Sequence, residues 1–121
     1  MTTIDKTDDA TKTICWARGD SDAKGFIIQN SAGVAIDITG FTFKLTVNSE
    51  KDPTTTANQQ FTVIGAITDA SAGKVAFSPT TANTDIVPAT YFYDIEQTDG
   101  SGAISTLIIG KCVLVQDITK A

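Results

Sequence analysis

Residues 41–48 read Phe-Thr-Phe-Lys-Leu-Thr-Val-Asn, and this stretch gives the clearest structural signal in the chain. Its apolar residues, Phe41, Phe43, Leu45 and Val47, alternate with polar ones. A period of two places the apolar side chains on one face of a β-strand and the polar side chains on the other. The pattern therefore predicts an antiparallel sheet with one face buried and the other in solvent.

Further β-rich runs lie on both sides of this stretch, separated by turn-forming residues. They cover residues 13–17, 26–29, 61–68, 74–78, 90–98 and 104–115, with a short edge piece at Val34, Ala35 and Ile36. Gly65 predicts a bulge or a close backbone approach inside its run, and Gly110 is expected to interrupt the last one. Residues 79–86 predict one helical turn, capped by Thr80 or Thr81.

Two further features are typical of sandwich folds. Asp99-Gly-Ser-Gly102 predicts a hairpin between the last two strands, because glycine tolerates the positive φ of tight turns. Tyr91, near the start of its strand, predicts a tyrosine corner, in which the hydroxyl bonds back to the backbone.

The overall pattern predicts an all-β fold, an antiparallel immunoglobulin-like β-sandwich of about seven strands. A closed barrel is the structural alternative. The length of 121 residues suits one domain, which we place at residues 12–121. Residues 1–11 are polar and without periodicity, and predict a flexible N-terminal tail or a docking arm that orders against a neighbour.

Charge and hydropathy bear on partners and location. The net charge is −5 and the nine basic residues are scattered, which disfavours nucleic acid and anionic membrane surfaces as partners. No apolar run is long enough to span a bilayer. The N-terminus has no apolar segment of a secretory signal, so we expect synthesis and retention in a cytoplasm, or exit by another route.

The residue types needed for common catalytic and metal chemistry are missing. The chain has no histidine, which removes the usual Ser-His-Asp and Cys-His nucleophile systems and the commonest zinc ligand. It also has neither of the glycine-rich phosphate-binding motifs. We therefore predict that the chain is not an enzyme and has no catalytic residue, cofactor or metal.

Three short acidic motifs are given structural interpretations. Asp94 and Glu96 share a strand face, and a solvated outer face is favoured over a glycosidase pair. The segment 20–22 lacks the further carboxylates of a calcium loop. Arg18-Gly-Asp20 spells a cell-adhesion tripeptide, but a strand-ending turn accounts for it.

The two cysteines, Cys15 and Cys112, are expected to be reduced and partly buried, with a disulfide between the first and last strands as the alternative. Trp16 is expected in the core. Its alternative role is an exposed aromatic contact, together with Phe92, in a carbohydrate- or cell-surface-binding module.

The order of several landmarks resembles a known family. They are Arg18-Gly-Asp20, Asn30-Ser-Ala-Gly33, residues 36–43, Val87-Pro-Ala-Thr-Tyr-Phe-Tyr-Asp94, residues 98–100, Gly110-Lys-Cys-Val113 and residues 117–119. The chain resembles the immunoglobulin-like domains of tailed-phage and prophage structural proteins, most closely the N-terminal domain of phage baseplate upper proteins. Thr90 departs from the glycine expected there.

The resemblance implies a non-enzymatic virion component of the tail or baseplate, made in the cytoplasm of the bacterial host. Its partners would be other virion or tail proteins and further copies of itself. If the protein ends at Ala121, without a coiled-coil or receptor-binding region, we expect a stand-alone virion or tail accessory protein. Edge strands offer unpaired backbone groups to a partner, so the edge piece Val34–Ile36 and the first strand are the candidate contacts.

Overall fold

The computed structural model describes residues 2–6, 13–30, 32–50 and 59–116 of the chain. Within these residues it contains nine strands and one helical turn. In chain order they are β1 (Thr2–Lys6), β2 (Ile14–Ala17), β3 (Lys24–Asn30), β4 (Thr42–Asn48), β5 (Gln59–Ile64), β6 (Ala66–Asp69), β7 (Lys74–Phe77), α1 (Thr81–Thr84), β8 (Ala89–Thr98) and β9 (Ile104–Val115).

The strands form two sheets. The first sheet has the order β1-β3-β7-β6 and the second sheet has the order β2-β9-β8-β4-β5. Neighbouring strands are antiparallel except β2 and β9, which are parallel. The described strands form two separate sheets, and neither closes on itself: the edge strands are β1 and β6 in the first sheet and β2 and β5 in the second. The closed-barrel alternative is therefore wrong. The all-β, immunoglobulin-like sandwich predicted from the sequence is confirmed.

The alternation in β4 positions the core as predicted. Phe43, Leu45 and Val47 are at most 1% exposed, while Phe41 is half-buried in the turn before the strand. Asn48 differs from the expected polar outer face because it is buried. It lies where the pairing with β5 shifts register, and its Oδ1 accepts a hydrogen bond from the Glu50 backbone N–H at 2.8 Å.

Gly65 explains why one predicted strand becomes two. β5 belongs to the second sheet and β6 to the first, so the chain crosses between sheets at this residue. A Cβ on Gly65 would lie 2.8 Å from Val75 Cγ2 and 3.0 Å from Phe77 Cε1. The predicted close backbone approach is therefore confirmed, and it occurs where the strand changes sheets.

The N-terminal segment differs from the flexible tail expected. Thr2–Lys6 forms β1 and pairs antiparallel with β3, from Thr2 opposite Asn30 to Lys6 opposite Phe26. Residues 7–12 lie outside the described residues. The physical reason for β1 is the outer edge of β3, whose backbone groups need partners that a local sequence pattern does not reveal.

The interruption expected at Gly110 is wrong. β9 runs unbroken from Ile104 to Val115, and Gly110 pairs with Tyr93 inside it. The irregularity lies at Leu107, because Ile95 pairs with Ile108 and the next residue of β8 pairs with Thr106. Leu107 is thus an extra residue of the bulge type, which exchanges the inward and outward positions along β9.

The predicted helical turn is confirmed as α1, with Thr80 as its N-cap. Thr80 Oγ1 accepts a hydrogen bond from the Asn83 backbone N–H at 3.1 Å, and Asn83 Oδ1 accepts one from the Thr80 backbone at 2.9 Å. These reciprocal bonds satisfy backbone donors that a helix start leaves unpaired.

The hairpin and the tyrosine corner are also confirmed. Asp99 Oδ1 accepts hydrogen bonds from the backbone N–H groups of Ser101 and Ala103, at 2.9 and 3.0 Å, between β8 and β9. The Tyr91 hydroxyl donates to the Val87 carbonyl, four residues upstream. These three bonds fix the two ends of β8, the central strand of the second sheet.

Candidate interaction surface

The most distinctive surface is the outer face of the second sheet, formed by the side chains that point away from the core. On β9, Ile108, Cys112 and Leu114 are buried, so Ile109, Lys111 and Val113, which alternate with the inward positions, point outward. Exposed or half-buried apolar side chains on the outer face are Ile64, Phe92, Ile104, Ile109, Val113 and Val115.

Exposed large apolar residues concentrate on this face. Among the described residues seven are exposed, and four of them, Ile64, Ile104, Ile109 and Val115, belong to the outer face. Ile104 and Ile109 keep 64% and 58% of their surface accessible. Apolar patches of this kind on a sheet face are typical of protein contacts.

The apolar outer face is not among the features predicted from the sequence, although the sequence contains a signal for it. Residues 107–109 and 113–115 are continuously apolar, so both faces of the final strand carry apolar side chains. A strand that faces solvent on one side alternates instead. The bulge at Leu107 hides the pattern further, because it changes which residues of the run point inward.

Four charged side chains also lie on the outer face, by the register of the described strands. Asp94 and Glu96 project from β8, Lys44 lies opposite Glu96 on β4, and Lys111 lies opposite Phe92 on β9. Burial raises the pKa of the Asp94 carboxyl, Glu96 raises it further, and Lys44 opposes the shift. The carboxylates lie on an open sheet face, in agreement with the structural interpretation of this pair.

The structure places Trp16 in the core, as the sequence analysis expected, so its alternative role as an exposed contact is wrong. Trp16 is 1% exposed, and its ring meets Phe61 edge-on at a centroid distance of 6.2 Å. The indole N–H donates to the Asp22 carbonyl at 2.8 Å. The physical reason is the pleat of β2, which turns Trp16 inward and Cys15 outward.

Phe92, the second candidate aromatic, is half-buried on the outer face. In the register of the sheet it lies between Lys111 on β9 and Asn48 on β4. It is therefore part of the apolar surface described above, and its neighbours Ile109 and Val113 are aliphatic. The structure separates it from Trp16, which lies on the opposite face of the sheet.

The candidate edge piece is only partly exposed. Val34 is 58% exposed, Ala35 forms an isolated bridge with Gln29, and the Ile36 N–H donates to the Ile28 carbonyl at 3.1 Å. The Ile28 N–H donates to the carbonyl of Gly73, which precedes β7. In a strand the N–H and the carbonyl of one residue point to the same side, so Ile36 and Gly73 lie on the same side of β3. Val34–Ile36 therefore lies in line with β7 rather than along the edge of the first sheet.

The first strand, by contrast, lies at an edge. Residues 14–17 form β2, the terminal strand of the second sheet. The Arg18-Gly-Asp20 tripeptide that follows is the predicted strand-ending turn: the Asp20 N–H donates to the Ala17 carbonyl at 3.0 Å, and Gly19 has φ +85°. Arg18 Nε contacts Asp85 Oδ1 at 2.8 Å, which ties this turn to the end of α1.

The described residues contain no group of three or more His, Cys, Asp or Glu side chains that could hold a metal ion. Within the acidic segment 20–22, Asp22 pairs with a lysine: its Oδ2 lies 3.1 Å from Lys24 Nζ.

In the part of the chain that the structure describes, no helix is long and apolar enough to cross a membrane. A shallow groove on the first sheet, lined by Gly25, Ile27, Thr68, Lys74 and Ala76, contains one titratable side chain, that of Lys74.

Both cysteines are free thiols on neighbouring strands. Cys112 is buried and pairs with Ile14, whereas the adjacent residue, Cys15, is exposed on the outer face. Their Cβ atoms therefore point to opposite faces of the sheet, which is incompatible with a disulfide between them.

We expect one fast thiol per native chain. Burial raises the pKa of the Cys112 thiol to about 12, so at pH 8 Cys15 should react with a disulfide reagent and Cys112 should not. Denaturant should expose both thiols, and Cys15→Ser should abolish the fast phase. Equal rates for the two thiols in the native chain would contradict this arrangement.

The same burial predicts the effect of alkaline pH on stability. A neutral Cys112 thiol is favoured in the folded chain, whereas the unfolded thiol ionises near its ordinary value of 9.0. Its contribution is thus fully present below that pH and is lost as pH rises toward about 12. Cys112→Ala should show a smaller loss of stability over this range in urea unfolding.

No protein-family model and no curated protein matches this sequence. Among solved structures, the chain is similar to CopC from Methylosinus trichosporium OB3b, with a TM-score of 0.53 and 7% identity over 100% of both chains. The PmoD soluble domain from Methylocystis sp. (strain Rockwell) has a TM-score of 0.47 and 16% identity, over 93% of this chain and 88% of that chain. A mutant SrpA adhesin from Streptococcus sanguinis has a TM-score of 0.48 and 18% identity, over 96% of this chain and 58% of that chain. The likeness to CopC supports the fold.

Proposed function

We propose that this chain is a non-enzymatic structural protein of a bacteriophage or prophage virion, a component of the tail or baseplate that acts through protein–protein contacts. The observation that carries the contact role is the apolar outer face, with Ile104 and Ile109 more than half exposed. The phage context comes from the order of landmarks such as Arg18-Gly-Asp20 and Gly110-Lys-Cys-Val113.

The absence of histidine supports the non-enzymatic part of the proposal. Asp94, whose pKa is raised, and its neighbour Glu96 lie on an open sheet face beside Lys44. General acid–base catalysis needs such a group within hydrogen-bond reach of a substrate held in place, and sites for small molecules are typically concave rather than on an open sheet face.

The positions of the aromatic residues disfavour the alternative, a carbohydrate- or cell-surface-binding module. All nine aromatic residues lie in the described part of the chain, and none is exposed. Seven are buried, and Phe41 and Phe92 are half-buried. Stacking on a sugar needs an accessible ring, so the surface fits a protein partner better.

The proposal is tested by looking for the chain in particles. Virions released after prophage induction of the source bacterium, purified on a density gradient, should contain the chain in many copies per particle by quantitative mass spectrometry. Gold-labelled antibody should decorate the tail or baseplate. A chain that is abundant in the induced lysate but missing from the purified particles would overturn the proposal.

A further inference from the structure

The strongest unexplained feature is the exposed apolar outer face of the second sheet. Three properties of this face indicate what kind of molecule binds to it. The first is composition. β9 projects Ile104, Ile109, Val113 and Val115 outward along a single strand, and Phe92 lies beside them on β8. A contact that excludes water from this stripe would remove several large aliphatic side chains from solvent, which is the main driving force for association.

The second property is charge. Lys44 and Lys111 balance Asp94 and Glu96, so the outer face is neutral by the register of its described strands, whereas the whole chain carries −5. Two copies of an acidic chain repel one another least when they meet through a neutral face. A two-fold contact also needs one patch to be complementary to itself, and a face with equal numbers of both signs has a carboxylate available for each lysine of the other copy.

The third property is size. The strands of the second sheet contain 4, 12, 10, 7 and 6 residues. With ~3.3 Å per residue and ~4.8 Å between strands, the face projects to roughly 600 Å². The accessible area of a surface with side chains exceeds its projection, so this approaches the ~800 Å² per partner of a standard protein–protein interface.

We propose that a second copy of this chain docks on the outer face, and that two copies form a face-to-face dimer centred on Ile109 and Phe92. This inference rests on the proposed function in taking the partner to be a protein. It differs from docking at the edge piece, because Val34 lies in the hairpin after β3, away from the second sheet. Lys111 and Lys44 of one copy would meet carboxylates of the other.

The test compares two lysine substitutions at equally exposed apolar residues. Ile109 and Val34 are both 58% exposed, so Ile109→Lys and Val34→Lys add the same charge at the same solvent exposure. Light scattering from about 5 to 500 µM should give wild type and Val34→Lys twice the 12.7 kDa chain mass. Ile109→Lys, which acts twice in a symmetric contact, should raise the dimer Kd about 100-fold.

Each outcome is decisive. A wild-type monomer at the highest concentration overturns the dimer, as does an Ile109→Lys variant that associates like wild type. Dissociation by Val34→Lys alone would assign the contact to the edge piece instead. Both lysines replace exposed side chains, so far-UV circular dichroism spectra that match wild type at 25 °C would exclude misfolding as the cause of dissociation.

The inference and the proposed function fail separately. A chain that is monomeric in solution but present in purified virions overturns the dimer and leaves the virion role. A chain that dimerises through Ile109 but is absent from particles overturns the virion role and leaves the dimer.

Discussion

Trp16→Ala is expected to lower the free energy of unfolding by about 3–5 kcal/mol, the usual cost of removing a large buried aromatic side chain. The indole is 1% exposed, packs edge-on against Phe61 and donates its N–H to the Asp22 carbonyl. Alanine would leave a cavity between the sheets and an unpaired carbonyl. Since a domain of this size has about 5–15 kcal/mol of stability, a large part would be lost.

Urea unfolding followed by far-UV circular dichroism measures this effect, because the variant lacks its tryptophan fluorescence. Trp16→Phe is the first control: it keeps a ring against Phe61, loses the N–H and should cost less than alanine. Val34→Ala is the second control, since Val34 is 58% exposed, lies away from the second sheet and should cost about 1 kcal/mol or less. Equal losses at Trp16 and Val34 would contradict the assignment of Trp16 to the core.

The sequence predicts those parts of the fold in which a local pattern and the tertiary structure agree. In β4, Phe43, Leu45 and Val47 alternate with polar residues, and the strand has one buried face. The cap of α1 and the β8–β9 hairpin likewise depend on side chains within a few residues of the backbone groups that they satisfy. Such contacts are visible in the sequence because sequence separation and distance coincide.

The parts that the sequence does not predict depend on distant partners. β1 exists because Thr2–Lys6 pairs with β3, and a polar run gives no sign of an edge that needs backbone partners. Strand propensity depends on such neighbours more than on composition. Trp16 was open to two interpretations for the same reason, since its packing partner Phe61 comes from β5 in another part of the chain.

The outer face is not predicted from the sequence because a single extra residue shifts the alternation of inward and outward side chains along a strand. One extra residue at Leu107 exchanges inward and outward positions, so Ile108 is buried and Ile109 is exposed although both are isoleucines. A period-two analysis across the bulge assigns them wrongly. The register with β8 is required to separate the core side chains of β9 from those on its surface.

Gly73→Ala is expected to lower the free energy of unfolding by at least about 3 kcal/mol, since it combines backbone strain with a backbone clash. Gly73 has φ +69°, a conformation that costs an L-residue about 1–2 kcal/mol. An added Cβ would lie 2.6 Å from the Ile28 carbonyl oxygen and 2.9 Å from that of Ile36. Neither oxygen lies on a side chain that could rotate away.

Relief of this clash would disturb hydrogen bonds that join β3 to its neighbours. The Ile28 N–H donates to the Gly73 carbonyl at 2.8 Å, and the Ile28 carbonyl accepts from Ile36 at 3.1 Å. Moving Gly73 away therefore breaks the first bond, and moving Ile28 away breaks both. Ile28 is fully buried, so the displaced groups would have no water to replace the lost partners.

Gly33→Ala is the matched control, because Gly33 has φ +79° but no atom within 4 Å of an added Cβ. It should show the cost of the backbone conformation alone, about 1–2 kcal/mol. The difference between the two variants in urea unfolding then measures the clash beside β3. If both variants lose the same stability, the approach of Gly73 to Ile28 is looser than described, and the position of Val34–Ile36 in line with β7 loses its support.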